Sequence, residues 1–258
     1  MSELADLNLT LPLAPLAHGA AADPRAAFDR LSADGFRAVQ LDVMTPALRP
    51  RSLGQSARRD LRAVLRRREL ALAGLDVWIP DAHFGDATRV DRAVALLVET
   101  IELAADLGQV VVSTTLPGGE GADPMIRAAI DAAASRAGVR VADFTIGAVA
   151  DATVGLGCDP VAALAQGDDP ATVVAQRGAT LTAARLADLL LSGDRGPVGT
   201  GGGQLDVAAY RASLTVAGYA GAVVVDPRGW AGSIVDGLRQ CRAAWDAASF
   251  DGLGGGVG

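Results

Sequence analysis

The chain has 258 residues, of which half are hydrophobic, and it carries a formal net charge of −7 at neutral pH. The length suits one α/β barrel over residues 1–250 with a flexible glycine-rich tail at 251–258, and the acidic balance disfavours nucleic acid as a partner. All 23 basic residues are arginine, which excludes Schiff-base catalysis, pyridoxal phosphate attachment and a Walker-A phosphate site, because all three need a lysine.

Short apolar runs alternate with helical stretches along the chain. Asp159-Pro160 and Asp206 place a helix cap before a first turn, and Gly108 and Gly138 follow helix ends. The predicted strands are 7–13, 38–43, 70–78, 110–115, 139–145, 154–158, 180–184 and 222–225. The predicted helices are 24–33, 57–68, 90–107, 124–137, 160–176 with a break near Gly167, 207–217 and 234–247. Eight strands with intervening helices predict an α/β fold of the (β/α)8 TIM barrel type.

Two units depart from the regular pattern. Between the fifth and sixth strands only residues 146–153 are free, which predicts a shortened or missing helix, since a crossover normally needs about a dozen residues. The seventh strand is followed by a long glycine-rich loop at 189–205, and loops of that length are usually functional or mobile. Within it, residues 199–203 (GTGGG) could bind a phosphate through backbone amides or form a flexible rim.

Several short motifs occur in a fixed order: GFRAVQL at 35–41, AADLG at 104–108, VGLGCD at 154–159, RLAD at 185–188 and GYAG at 218–221. In this order they resemble the xylose isomerase-like TIM-barrel superfamily, the sugar phosphate isomerases and epimerases and their endonuclease IV relatives. The resemblance implies a barrel that acts on a small carbohydrate by proton transfer. An endonuclease IV-like activity is disfavoured, because it needs a histidine-rich zinc cluster and this chain has two histidines.

The resemblance also implies a divalent metal, held by a Glu on the fifth strand, an Asp on the sixth, a His beyond it and a Glu on the last strand. Asp159 and Asp226 match the sixth-strand and last-strand positions and are the metal candidates. The other positions differ, since Thr145 lies near the fifth-strand position and Arg185 and Gln40 replace a His and a Glu. Two carboxylates alone do not hold a divalent ion tightly. The sequence therefore leaves open whether Mn²⁺, Mg²⁺ or Zn²⁺ binds.

Polar residues at the ends of the predicted strands are expected to converge on one ligand, because all strands of such a barrel end on the same face. His83 is the candidate proton carrier, Arg185 the candidate for stabilising a developing oxyanion, and Asp226 the candidate base. The candidate substrate-binding residues are Gln40, Asp76, Trp78, Thr145 and Arg228. His18 is predicted to follow the first strand and is a weaker proton-carrier candidate.

Each candidate also has a purely structural interpretation. Aspartate and arginine residues at the rim could neutralise each other, Asp159 could only cap a helix, and Trp78 could be packing rather than a sugar platform. His83 could simply pack on Phe84.

Two functions therefore remain open. The first is a sugar or sugar phosphate isomerase or epimerase with doubtful metal dependence. The second is a non-catalytic carbohydrate- or metabolite-binding barrel descended from such enzymes. The sequence shows no basic and apolar leader and no apolar run of roughly 18 residues, and its two cysteines suit a reducing compartment. We therefore expect a cytoplasmic protein without a membrane partner.

Overall fold

The computed structural model describes residues 13–17, 24–118 and 123–248. Within these residues, eight parallel strands close into a barrel in the order β1-β10-β7-β6-β5-β4-β3-β2, which confirms the predicted TIM barrel. The strands are β1 (Leu13–Ala17), β2 (Ala38–Asp42), β3 (Ala71–Asp76), β4 (Val111–Thr114), β5 (Val141–Asp143), β6 (Val154–Cys158), β7 (Leu181–Leu186) and β10 (Val223–Val225). Two short strands outside the barrel, β8 (Asp188–Leu189) and β9 (Arg195–Gly196), form an antiparallel hairpin after β7.

The described residues form eight α-helices, which are distributed unevenly between the strands. They are α1 (Pro24–Ala33), α2 (Gln55–Arg67), α3 (Val90–Asp106), α4 (Pro124–Ala137), α5 (Pro160–Ala165), α6 (Pro170–Arg177), α7 (Val207–Val216) and α8 (Ile234–Ala247). No helix lies within the described segment 144–153 between β5 and β6, as predicted, whereas α5 and α6 both lie between β6 and β7. The break between α5 and α6 falls at Gly167, whose φ of 81° is easily adopted only by glycine.

Two side chains of α4 fasten the segment that has no helix. Arg127 donates hydrogen bonds to Asp143, to Asp151 and to the carbonyl of Val149. One helical turn later, Asp131 accepts hydrogen bonds from the backbone N–H of Thr153 at 2.8 Å and from its hydroxyl at 2.6 Å. A helix on the outside of the barrel thus holds both ends of the connection that lacks a helix of its own.

The alternation of side chains along each strand builds two separate apolar regions. Residues such as Val39, Leu41 and Leu75 belong to the main core with the helices. The barrel interior contains a separate set of apolar side chains. They form two clusters, one of Ala14, Leu16, Ala38 and Val224 and the other of Ala142, Phe144 and Ala183.

The first barrel strand shares only Leu13 with the predicted range. It was expected at residues 7–13 but lies at Leu13–Ala17, where Pro15 pairs in register with Val225. Proline disfavours a strand assignment because it lacks an N–H, yet in this ladder it removes only one donor. His18 follows this strand directly and, like residues 7–12 and the tail at 251–258, lies outside the described residues.

Among the described residues, no helix combines the length and apolar character that a bilayer crossing requires.

Candidate ligand site at the barrel mouth

The carboxyl ends of the strands bring acidic and basic side chains together at one end of the barrel. Asp76 ends β3, Asp159 follows β6, Arg185 lies near the end of β7, and Asp226 follows β10. With Arg195 and Arg228 they form a continuous set of ion pairs, which we call the mouth network: Asp76, Asp159, Arg185, Arg195, Asp226 and Arg228. The predicted convergence of Arg185 and Asp226 is therefore observed.

Arg185 lies at the centre of the mouth network. Its Nη2 donates to Oδ1 of Asp76 at 2.7 Å, and other nitrogens of its guanidinium lie 3.6 Å from Asp159 and from Asp226. The guanidinium also stacks on the Phe144 ring, 3.9 Å from the ring centroid. The ring has room because β6 carries Gly157, where a Cβ would lie 2.5 Å from ring carbons of Phe144. Glycine in the sixth-strand motif therefore helps to position the arginine of the seventh strand.

Arg228 joins the last strand of the barrel to the third. It donates from Nε to Oδ1 of Asp226 at 2.9 Å and from Nη2 to Oδ2 at 2.6 Å, a bidentate arrangement that fixes both groups. Its Nη1 also donates to Oδ2 of Asp76 at 2.9 Å. Both oxygens of Asp76 consequently accept a hydrogen bond from an arginine.

Arg195 was not among the predicted site residues. This residue begins β9, and its guanidinium donates to both oxygens of Asp159 at 3.0 and 3.2 Å and to Oδ2 of Asp226 at 3.1 Å. Its Nε is buried without a hydrogen-bond partner among the described residues. The only sequence signal was the position of an arginine inside the long loop after the seventh strand. Arg195 lies across the mouth because the loop folds into the β8–β9 hairpin.

Asp188 holds the rest of this loop. Its Oδ1 accepts hydrogen bonds from the backbone N–H groups of Gln204 and Leu205, both at 2.8 Å. Gly203 packs so closely on this carboxylate that a Cβ there would overlap Oδ2. The N–H groups of Gly202 and Gly203 donate to the carbonyl of Thr200. Two of the amides that could have bound a phosphate in GTGGG are therefore already used within the loop.

The mouth network shifts the pKa values of its carboxyls in opposite directions. Burial raises the pKa of Asp76 and outweighs the opposing effect of Arg185 and Arg228. Burial would also raise the pKa of Asp226, but the hydrogen bond from Arg228 and the charges of Arg185, Arg195 and Arg228 hold it well below its usual range. Asp226 therefore stays ionised, and the pKa of Arg228 is raised by Asp226 and Asp76 despite its burial.

The two metal candidates do not fit a divalent ion. Asp159 also caps α5, since its Oδ1 accepts from the N–H of Val161 at 3.1 Å, and both its oxygens face Arg195. Asp226 faces three guanidinium groups. Positive charges 2.6 to 3.6 Å from these carboxylates occupy the place of a cation and would repel one. No group of three or more metal-binding side chains occurs within the described ranges.

Four other predicted site residues lie apart from the mouth network. Gln40 is buried in the barrel, where its Nε2 donates to Oγ of Ser113 at 3.0 Å. The hydroxyl of Thr145 donates to the carbonyl of Leu116 and accepts from the N–H of the same residue. Trp78 and His83 line a separate cavity outside the barrel. Of the predicted set, the structure thus brings together Asp76, Asp159, Arg185, Asp226 and Arg228.

Neither a protein-family model nor a curated protein sequence matches this chain. Solved structures do match. A xylose isomerase domain protein from Planctomyces limnophilus has 15% identity and a TM-score of 0.68, with 95% of this chain and 96% of that chain covered. D-psicose 3-epimerase from Clostridium cellulolyticum H10, solved with D-tagatose, has 13% identity and a TM-score of 0.71, with 92% and 98% covered. An L-ribulose 3-epimerase has 16% identity and a TM-score of 0.71, with 95% and 98% covered. At such identities the likeness is one of fold, and the chain has the fold of the xylose isomerase-like TIM barrels.

Proposed function

We propose that the barrel mouth binds a small carbohydrate, a sugar or sugar derivative, through its arginine and aspartate side chains and without a divalent metal ion. The observation that carries this proposal is the mouth network itself, in which three arginines and three aspartates meet where the strand ends converge. Carboxylates accept hydrogen bonds from sugar hydroxyls, and guanidinium groups donate to hydroxyl, carbonyl or acidic oxygens. The network therefore offers both kinds of partner to a polyhydroxylated molecule.

The accessible side of the mouth network indicates where the ligand would enter. The side chains of Arg195 and Arg228 are 19% and 22% exposed, whereas Asp76, Asp159 and Asp226 are less than 10% exposed. The Nε of Arg195 is buried and has no hydrogen-bond partner among the described residues, so it would donate only to a ligand that enters the network. The ligand class is supported by the matching solved structures, which include sugar epimerases.

Ligand-induced stabilisation tests this proposal. The melting temperature would be measured with ketohexoses, ketopentoses, sugar phosphates and sugar acids, each in EDTA and each with Mn²⁺ or Mg²⁺, because a ligand that binds only the native state raises Tm. We expect a sugar-dependent rise that is the same with EDTA, is lost in Arg195→Gln and is kept in Arg136→Gln, an exposed site on α4. A rise that needs the metal, or that survives Arg195→Gln unchanged, would contradict the proposal.

Metal-independent isomerase or epimerase activity is the second candidate. The observation that favours it is the buried pair of Asp76 and Arg185, in which the carboxyl has a raised pKa. In such a step Asp76 would take the proton from a carbon next to the substrate carbonyl, the C–H electron pair would form the enediolate, and Arg185 would stabilise the oxyanion. Ligand binding would first have to free Oδ2 of Asp76 from Arg228.

Isotope exchange separates this second candidate from simple binding. A sugar that raises Tm would be incubated with the protein in D₂O, and deuterium at carbon would be followed by NMR. An isomerase or epimerase incorporates deuterium, and Asp76→Asn abolishes it. Binding without incorporation would leave the carbohydrate-binding function and eliminate the catalytic one.

A further inference from the structure

A cavity lies apart from the mouth network, between the segment after β2, the segment after β3 and helix α3. Its volume is about 680 Å³, within the range of small-molecule sites. We call it the lateral cavity. Its lining includes Val43, Arg49, Trp78, Ile79, Arg92 and Ala93, and no residue of the mouth network belongs to it.

The floor of the lateral cavity is apolar. Val43, Ile79 and Ala93 are buried there. Trp78 lines one side of the cavity and is 55% exposed. Such high exposure is unusual for a side chain as large and apolar as tryptophan. An aromatic or alkyl group could remove this surface from water by packing against Trp78.

The rim of the lateral cavity is basic, although the whole chain is acidic. Arg51 pairs with Glu99 at 2.7 Å, and Arg89 pairs with Asp86 at 3.1 Å. Arg49 and Arg92 are exposed, and neither forms a hydrogen bond or ion pair through its side chain within residues 13–17, 24–118 and 123–248. Two positive charges without carboxylate partners therefore face one apolar cavity, which is an arrangement complementary to an anion.

We propose that the lateral cavity binds a small amphipathic anion, an aromatic or alkyl group that carries a carboxylate, phosphate or sulfonate. The apolar part packs on Trp78 and the buried floor, and the anionic group accepts hydrogen bonds from Arg49 and Arg92. Binding there is independent of the mouth network. The cavity is nevertheless joined to it by the chain, because Val43 follows the end of β2 and Trp78 follows Asp76 by two residues.

A pair of fluorescent probes with the same aromatic skeleton tests this assignment. 8-Anilinonaphthalene-1-sulfonate is anionic, and N-phenyl-1-naphthylamine is neutral. We expect Arg49→Gln/Arg92→Gln to weaken binding of the anionic probe by about tenfold or more and that of the neutral probe by less than about twofold, because hydrogen bonds to charged groups are lost only for the anion. Trp78→Ala weakens both probes, and inorganic phosphate alone competes poorly because it lacks the apolar part.

Two controls keep the result specific. Arg66→Gln/Arg136→Gln removes the same charge from exposed sites on α2 and α4 and leaves both affinities unchanged. Arg195→Gln, in the mouth network, also leaves the affinities for both probes unchanged. The proposal for the lateral cavity can therefore fail without the carbohydrate proposal failing. Failure of the native protein to bind the anionic probe, equal weakening by the control pair, or equal loss of both probes in the Arg49/Arg92 variant would overturn the assignment. Arg49, Arg66, Trp78, Arg92 and Arg136 are exposed, so Tm should stay nearly the same in the variants at these five positions.

Discussion

The barrel mouth and the lateral cavity both concentrate arginine, but they differ in how its charge is balanced. In the mouth network every guanidinium has carboxylate partners, and the side chains are largely buried. At the lateral cavity, Arg49 and Arg92 are exposed and have no such partner in the described part of the chain. Paired, buried charges order the structure around them, whereas unpaired, exposed charges remain available to a ligand. The same residue type thus stabilises one region and can serve recognition in the other.

The largest expected effect on stability comes from removing one charged side chain from each region in turn. Asp76→Ala removes the carboxylate to which Arg185 donates and one of the two carboxylates to which Arg228 donates. Loss of one member of a buried ion pair costs about 3–5 kcal/mol. Arg49→Ala removes an exposed side chain and should cost less than about 0.5 kcal/mol. Urea unfolding measures both changes. Similar values for the two variants would mean that the mouth network does not stabilise the fold.

The loop over the mouth offers a matched pair of glycines. A Cβ at Gly203 overlaps the Asp188 carboxylate, whereas a Cβ at Gly202 has no atom within 4 Å. Gly203→Ala should lower the free energy of unfolding by about 1–3 kcal/mol, as overpacking usually does, and Gly202→Ala should leave it nearly unchanged. Chemical denaturation of both variants checks this. Equal effects would show that Asp188 does not fix the loop.

Arg195 should have a smaller and more local effect. Arg195→Gln removes its hydrogen bonds to Asp159 and Asp226, but Arg185 and Arg228 still compensate these carboxylates. We expect a loss of about 1–2 kcal/mol together with faster amide hydrogen exchange in residues 188–196. Unchanged exchange in that segment would contradict the view that Arg195 fastens the hairpin to the mouth.

The pH dependence of stability should show the smallest effect. Because the pKa of Asp226 is lowered in the folded state, its contribution to stability is fully present above the unfolded pKa of about 3.9 and is lost as pH falls towards the folded value. The stability difference between the native protein and Asp226→Asn should therefore shrink as the pH is lowered from 5 to 3. Urea unfolding across this range measures it, and a constant difference would be inconsistent with a lowered pKa.

Most of the fold could be predicted from periodicity and helix caps. Helices α1, α4 and α8 and strand β6 lie at their predicted residues, because apolar spacing and Asp-Pro or glycine boundaries are local signals. Strand β1 could not be placed, because Pro15 argues against a strand and only pairing with β10 and β2 overrides that preference.

The site was predictable only where side chains follow strands directly. Asp76, Asp226 and Arg228 lie in the mouth network because the barrel aligns strand ends. The same rule does not extend to Trp78 and His83, since the chain beyond β3 turns towards α3. Arg195 reaches the mouth through a hairpin, and the direction of a side chain in a long loop has no periodic signature.

The connection between β5 and β6 has no covering helix and is held from outside the barrel by two side chains of α4. A covering helix resists displacement through many small contacts, so the loss of one is tolerated. Here Arg127 and Asp131 hold residues 144–153 through a few hydrogen bonds. A single substitution at Arg127 would therefore loosen this connection, whereas the connections that contain a helix would keep most of their contacts.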